Sequence, residues 1–284
     1  MKTPKRLLPL VAEGLIDEVM RQLMSGKEAT VYVVRCGDDI RCAKVYKEAT
    51  QRSFHQAVAY QEGRRVKNSR QARAMEKGTR YGRKMAEQVW QNAEVDALYR
   101  LAAAGVRVPT PHLCFEGVLL MELVVDANGN AAPRLNDVDM SREQALECHA
   151  ALLHQVVLML GAGMIHGDLS EYNILIDAYG PVIIDLPQAV DAAGSSVAAS
   201  MLDRDVTNLA NFFGNFAPEL SGSQYGKEIW SLYQAGLLTP ATPLTGRVAE
   251  PEKPADVAAV MHEIELARQE EQERLRHRME VQMG

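Results

Sequence analysis

The chain is poor in cysteine and uses it without pattern. Its four cysteines, Cys36, Cys42, Cys114 and Cys148, show no C-x-x-C spacing and no dense framework. Neither a disulfide scaffold nor a zinc site is expected, and a reducing, cytoplasmic setting is. Long hydrophobic runs are absent too. The longest, Val156 to Ile165, contains Gly161 and Gly163 and falls far short of a membrane span. The basic start at Lys2, Lys5 and Arg6 leads into apolar residues, but Pro9 and Glu13 break them and no small-residue cleavage site follows, so no secretory signal is read. Positive charge is not in excess: 31 Lys and Arg face 37 Asp and Glu, a net charge of −6. That excludes nucleic-acid or membrane binding by the chain as a whole, though not by a local patch. Two phosphate-binding signatures are missing. Ser25-Gly26-Lys27 is not a Walker loop, because Arg21 and Glu28 stand where that motif has Gly and Ser/Thr, and no G-x-G-x-x-G occurs in its place. Internal repeats are absent.

What is present suffices for a sizeable core: 284 residues, 47% of them hydrophobic. The β-rich stretches Thr30 to Arg35 and Ile40 to Tyr46, with a strand in the second half of 15–24, predict an antiparallel meander. Ser25-Gly26-Lys27 falls in its first connection and Gly37-Asp38-Asp39 in its second. A single Gly, a hydroxyl, backbone N–H groups and a Lys form a physically sound phosphate cover. Lys44 lies on the third strand. From Arg64 to Lys84 there are nine Lys/Arg and one acid, Glu76. This reads as a solvated segment, or as a docking patch for an acidic partner or RNA. Val89 to Leu101 has helical periodicity and ends near Gly105, with Glu94 placed to pair with Lys44. His112 to Glu116 and Val118 to Met121 are strands, and Glu122 to Val124 fall where two lobes would connect. Ser141, with Gln144 three residues on, caps a long helix through Leu160. His149 and His154 on that helix are about 140° out of phase, so they share no metal. Met201 to Phe213 is a further helix, Leu237 to Pro254 a Pro- and Thr-rich linker, and 255–283 an amphipathic, charge-rich helix.

Between the helix that ends at Leu160 and the one that starts at Met201 lies His166-Gly167-Asp168-Leu169-Ser170-Glu171-Tyr172-Asn173, flanked by short strands at Met164-Ile165 and Ile174-Leu175-Ile176. Then come Tyr179-Gly180, a turn, and Val182-Ile183-Ile184-Asp185. A hairpin there brings Asp168, Asn173 and Asp185 to one end. One carboxylate can orient or deprotonate a hydroxyl, while the Asn and the second Asp hold Mg²⁺ between phosphate oxygens. That is the catalytic-loop and metal arrangement of protein kinases. Ala217-Pro218-Glu219 matches another kinase tripeptide, but no substrate-binding loop of the expected composition precedes it, so it is read as coincidence.

These motifs resemble the RIO family of atypical serine/threonine protein kinases. The likeness rests on His166-x-Asp168-Leu169-Ser170-Glu171-x-Asn173, on Ile184-Asp185-x-x-Gln188, on Ser25-Gly26-Lys27-Glu28-Ala29-x-Val31-Tyr32, on Lys44-Val45-Tyr46-Lys47, on Trp90-x-x-x-Glu94, and on Arg204-Asp205 with Phe212-Phe213. Pro187 departs from it, standing where the family usually has a small or hydroxyl residue. The short ends resemble those of a minimal, bacterial member.

The resemblance implies an α+β, two-lobed protein-kinase-like fold. Its N-lobe, 1–124, would be an antiparallel sheet with a C-helix. A mainly helical C-lobe would span 125–245, and a linker with a charged helix 246–284. It implies ATP and Mg²⁺, with Mn²⁺ as a substitute. Asp168 is then the acid–base and orienting residue, Asn173 and Asp185 are the metal ligands, and Lys44, held by Glu94, contacts the α/β-phosphates. Ser25 and Lys27 cover the phosphates, and Met121, Glu122 and Val124 border the adenine. In this family the metal Asp is also a candidate acceptor of the phosphoryl group, which gives ATPase turnover. Gly167 replaces the Arg that pairs with a loop phosphate in ordinary kinases. The implied partners are ATP and a protein substrate, with no membrane. Two other readings remain open: a small-molecule phosphotransferase of aminoglycoside type, which shares His-Gly-Asp, and an ATP-gated module that binds RNA or a ribosomal particle.

Overall fold

The computed structural model describes residues 2–26, 29–47 and 93–248. Lys27, Trp90, the basic segment 64–84 and the charged tail 255–283 lie outside the described residues. The described residues up to Arg247 form one compact unit.

Strands β1 (Glu18–Ser25), β2 (Ala29–Cys36) and β3 (Asp39–Tyr46) form the expected meander. β4 (Pro111–Phe115) and β5 (Val118–Glu122) complete an antiparallel sheet of order β1-β2-β3-β5-β4. Cys36 pairs with Asp39, so Gly37 and Asp38 make a two-residue turn, and Gly37 supplies the positive φ of +65° that its first position needs. The Asp17 carboxylate accepts the Gly37 N–H at 2.6 Å and fixes that turn.

The two-residue period of a strand sorts the side chains of this sheet into two cores. Ala43 and Val45 of β3 and Val118 and Leu120 of β5 face outward, where Leu7, Leu10, Ile16, Val19 and Val34 close a small apolar cluster. Leu7 and Leu10 come from a 3-10 turn, Lys5–Leu7, that runs into α1 (Leu8–Ala12). Tyr46 and Leu119 alternate onto the opposite face and join the main core. Lys44 shares that inner face by the same alternation.

Helix α2, over 93–103, packs Val95, Leu98 and Leu101 into the main core. α3 (Arg142–Gly161) starts at Ser141 with a complete capping box: the Ser141 Oγ accepts the Gln144 N–H, and the Gln144 side chain accepts the Ser141 N–H. It buries Leu152, Leu153, Val156, Val157 and Leu160 around most of its circumference, as a central helix does. The two-residue strand β6 (Met164–Ile165), the hairpin β7 (Ile174–Asp177) and β8 (Gly180–Ile183), and β9 (Val190–Asp191) follow. Then come the amphipathic helices α4 (Ala198–Phe213) and α5 (Tyr225–Gln234). The antiparallel sheet and the helices together give the two-lobed, kinase-like α+β fold that the motifs imply.

Two differences from expectation have local causes. α4 begins at Ala198 rather than Met201, because Ala198 and Met201 both face the core. The stretch from Leu237 does not run free as a linker: Glu228 of α5 accepts N–H groups from Thr245 and Gly246, and Leu244 packs on the main core. The tripeptide Ala217-Pro218-Glu219, read above as a coincidental match, leads into a 3-10 turn, Pro218–Leu220. Glu219 pairs with Arg142 at the start of α3.

Candidate active site

The inner face of β3 points Lys44 into the cleft under the sheet. It is 9% exposed, and its Nζ donates to Glu94 Oε1 at 2.5 Å and to Asp185 Oδ1 at 2.9 Å. Glu94, on the first turn of α2, is 4% exposed. Burial alone would push the Lys44 ammonium below its ordinary value; Glu94 and Asp185 outweigh that and hold it above. Burial likewise opposes charge on Asp185, but Lys44 overcomes it, with smaller help from His166 and Arg134, and keeps that carboxyl below the usual range. Tyr46 lies beneath: the ammonium sits 5.6 Å from its ring centroid. Strand β3, helix α2 and the C-lobe hairpin thus meet at one cation.

Asp185 has a φ of +67°, the left-handed region that only a local constraint imposes on a non-glycine residue. The constraint lies on either side of it. The hairpin β7–β8 pairs Ile174 with Ile183, and the Ile184 N–H continues it to the Asn173 carbonyl at 2.9 Å. On the far side Leu186-Pro187-Gln188-Ala189 closes as a turn, with the Ala189 N–H on the Leu186 carbonyl at 3.0 Å. Pro187 occupies the second position of that turn, where its fixed φ is favoured. The same turn carries the Gln188 amide to within 3.3 Å of Asp168 Oδ2.

The hairpin brings Asp168, Asn173 and Asp185 to one end. Asn173 Nδ2 donates to the Asp168 carbonyl at 2.9 Å. A carbonyl only accepts, so the amide nitrogen must face it and Oδ1 is left for another ligand. Burial raises the Asp168 carboxyl above its ordinary value and the nearby Asp185 adds to that, while His166 and Arg204 oppose it. His166 Nε2 lies 3.1 Å from the Ile184 carbonyl, and its Nδ1 accepts the Asp168 N–H at 3.3 Å. An acceptor on one side and a donor on the other put the ring proton on Nε2.

Helix α4 holds this loop by its backbone. Asp205, 1% exposed, accepts the N–H of Gly167 at 2.7 Å and of Leu169 at 3.0 Å. Arg204 donates to the Gly167 carbonyl, and Asn208 to the Leu169 carbonyl at 3.2 Å. Gly167 has a φ of +82°, and a Cβ there would sit 2.7 Å from the Gln188 carbonyl oxygen. A larger residue therefore does not fit at the position where ordinary kinases have Arg.

The remaining expected residues lie around this centre. Ser25 ends β1. Its Oγ is 3.2 Å from Thr30 Oγ1 and accepts from Lys47 Nζ at 3.2 Å, while Lys47 also donates to the Gly26 carbonyl at 2.6 Å. Lys27, between them, is outside the described residues. Met121 pairs with Cys42 across β3 and β5. The Glu122 carboxylate is taken by the N–H and hydroxyl of Thr110, at 3.0 and 2.8 Å, so its side chain serves the connection rather than the cleft. The Val124 carbonyl accepts the Ala132 N–H at 3.0 Å, and its own N–H has no partner among the described residues.

The tautomer of His166 carries no signal in the sequence; Gln188 and Arg204-Asp205 stood out there only as parts of motifs. Among the described residues no group of three or more His, Cys, Asp or Glu side chains could enclose a metal. Asp185 and Asn173 supply a carboxylate and an amide oxygen. Such hard donors suit Mg²⁺ completed by water and phosphate oxygens. The cysteines take no part: Cys42 and Cys148 are both pushed up to about 12 by burial. No described helix is long and apolar enough to cross a membrane.

Comparison with known proteins identifies the family. The RIO domain family matches residues 30–224. The serine/threonine-protein kinase rio1 of Schizosaccharomyces pombe is 31% identical over 218 residues, which cover 75% of this chain and 41% of that protein. The RIO-type serine/threonine-protein kinase Rio1 of Haloferax volcanii is 34% identical over 215 residues, 75% of this chain and 69% of that protein. Its counterpart in Methanocaldococcus jannaschii is 32% identical over 213 residues, 75% and 68%. The chain thus spans about two fifths of the fungal relative and two thirds of the archaeal ones.

Proposed function

Because the chain belongs to the RIO family of serine/threonine protein kinases, we propose that it is an ATP-dependent serine/threonine kinase that also labels itself. The observation that carries this is the double engagement of Lys44 by Glu94 and Asp185, beside the loop that bears Asp168 and Asn173. Glu94 aims the ammonium, and Lys44 meets the α/β-phosphates. Asp168, held through Gln188, orients the attacking hydroxyl and takes its proton. Asn173 Oδ1 and the Asp185 carboxylate would hold Mg²⁺, which would supply positive charge against the charge developing on the phosphates. Ser25 with Lys27 covers the phosphates, and the connection at Met121, Glu122 and Val124 receives adenine, with the Val124 N–H as its donor. The raised Asp168 carboxyl supports proton transfer better than an ordinary one, since a stronger base lies closer to neutral pH.

The lobe limits 1–124 and 125–245, with 246–284 as a separate tail, belong to the same proposal, as do a cytoplasmic setting, a protein substrate, and the basic segment 64–84 as the docking site for an acidic partner or RNA. Asp185 as phosphoryl acceptor would make turnover an ATPase cycle. A transfer assay with labelled ATP and Mg²⁺ tests the class of acceptor. A generic protein substrate or the chain itself should be labelled, and an aminoglycoside panel should not; labelled aminoglycosides with unlabelled protein would reverse the assignment.

A further inference from the structure

Among the described residues, Lys44 and Lys47, two cations of the cleft between sheet and hairpin, are already engaged. Lys44 is its buried cation, but two carboxylates already neutralise it. Lys47 spends its ammonium on the Gly26 carbonyl and Ser25 hydroxyl, which fold the β1–β2 turn.

Arg134 is differently placed. Its backbone is bridged to Leu175 on β7, two residues beyond Asn173, and the carbonyl of neighbouring Pro133 accepts the Ile176 N–H at 2.9 Å. Its base is therefore fixed to the hairpin that presents Asn173 and Asp185. Its side chain crosses to the opposite wall, where Nη2 lies 3.5 Å from the sulfur of Met24, the residue before Ser25-Gly26. A thioether is a weak, neutral acceptor and balances no charge. No carboxylate pairs with Arg134 among the described residues. A guanidinium anchored on the floor, resting on the roof beside the phosphate turn, near the Asp185 charge but in no direct ion pair among the described residues, has the fork geometry that binds phosphate oxygens bidentately.

We propose that Arg134 is a phosphate-binding residue of the nucleotide site, leaving Met24 to grip the phosphate chain from the side opposite Lys44. The inference rests on the reading of this cleft as an ATP site. Neither the family motifs quoted above nor the spacing of the catalytic loop includes Arg134. It is a binding and positioning group, not a catalytic one, and it would act before any transfer.

Equilibrium binding of ATP, ADP and adenosine to the whole chain separates the cases. The variants are Arg134→Gln, Arg134→Lys and Met24→Leu, each checked for an unchanged melting temperature. Arg134→Gln should weaken ATP and ADP by about tenfold or more, the worth of a charge-assisted hydrogen bond, and adenosine by less than about twofold. Arg134→Lys should recover part of the loss, since it keeps the charge without the fork. Met24→Leu removes only the resting contact and should bind ATP as the wild type does. Equal ATP affinity in Arg134→Gln and wild type would overturn the inference alone. Equal weakening of adenosine and ATP, or a Met24→Leu variant that behaves like Arg134→Gln, would make Arg134 a strut between roof and floor and overturn it as well. A wild type that binds none of the three overturns the nucleotide reading itself.

Discussion

Replacing Lys44 alone would leave the carboxylate of Glu94, 4% exposed, without its counter-ion. Breaking such a buried pair from one side costs about 3–5 kcal/mol. A Lys44→Met chain should therefore lose both stability and phosphoryl transfer, and the two losses could be mistaken for one. The double variant Lys44→Met/Glu94→Gln removes the stranded charge. It should regain most of the stability in urea unfolding and none of the transfer; a double variant that labels itself normally would reduce Lys44 to a structural part. His149 is a second single-residue test. It is 2% exposed, packs against the rings of Phe213 and Tyr225, and has no partner for Nε2 among the described residues. Burial lowers its value from 6.5 to about 4. The folded chain thus holds it neutral, while the unfolded chain protonates it below 6.5. The stability it allows is complete above that pH and is lost as pH falls from 6.5 through 4, by about 3 kcal/mol in all. Urea midpoints at pH 7 and pH 4.5 should differ less in His149→Leu than in wild type. Unchanged pH dependence would place the acid sensitivity elsewhere.

At the scale of elements, the catalytic loop owes its shape to its neighbours. Asp205, Asn208 and Arg204 of α4 hold its backbone, and the Pro187 turn packs against Gly167. Gly167→Ala would force a Cβ toward the Gln188 carbonyl at a φ of +82°. Transfer should fall by about a hundredfold, as misplacement by about an ångström does, with the melting temperature lowered only modestly. Normal transfer would show that the loop tolerates the shift. These contacts mark the limit of what the sequence discloses. The meander, the hairpin β7–β8 and the capped helix α3 were legible, because alternation, turn residues and the Ser141–Gln144 pair are local signals. α1, α5 and β9 were not: they are short, and their form depends on surfaces far away in the chain. Asp168, Asn173 and Asp185 could be brought together from spacing alone. The support from Gln188, Asp205 and Arg134 could not, since each acts across a tertiary contact. Pro187, a departure from the family pattern on paper, occupies a turn position that favours proline.

For the molecule as a whole, the sheet has two apolar faces and needs a cover on each. The main core supplies one, and Leu7 and Leu10 of the first turns supply the other. Leu7→Ala and Leu10→Ala should each cost about 2–5 kcal/mol in chemical unfolding. Nucleotide affinity at temperatures where the chain stays folded should remain, because this face is opposite the one bearing Lys44; loss of affinity without loss of stability would contradict the two-sided arrangement. All the parts then converge on one group. On the proposed reading, Lys44, Glu94, Asn173 and Asp185 prepare a site in which Asp168 meets the hydroxyl. The direct test is incubation of wild type and Asp168→Asn with Mg²⁺ and γ-labelled ATP, with melting temperatures matched. The account predicts label on the wild-type chain or an added protein, and at least about a hundredfold less with Asp168→Asn, as loss of a positioned base requires. Equal labelling by the two would contradict it.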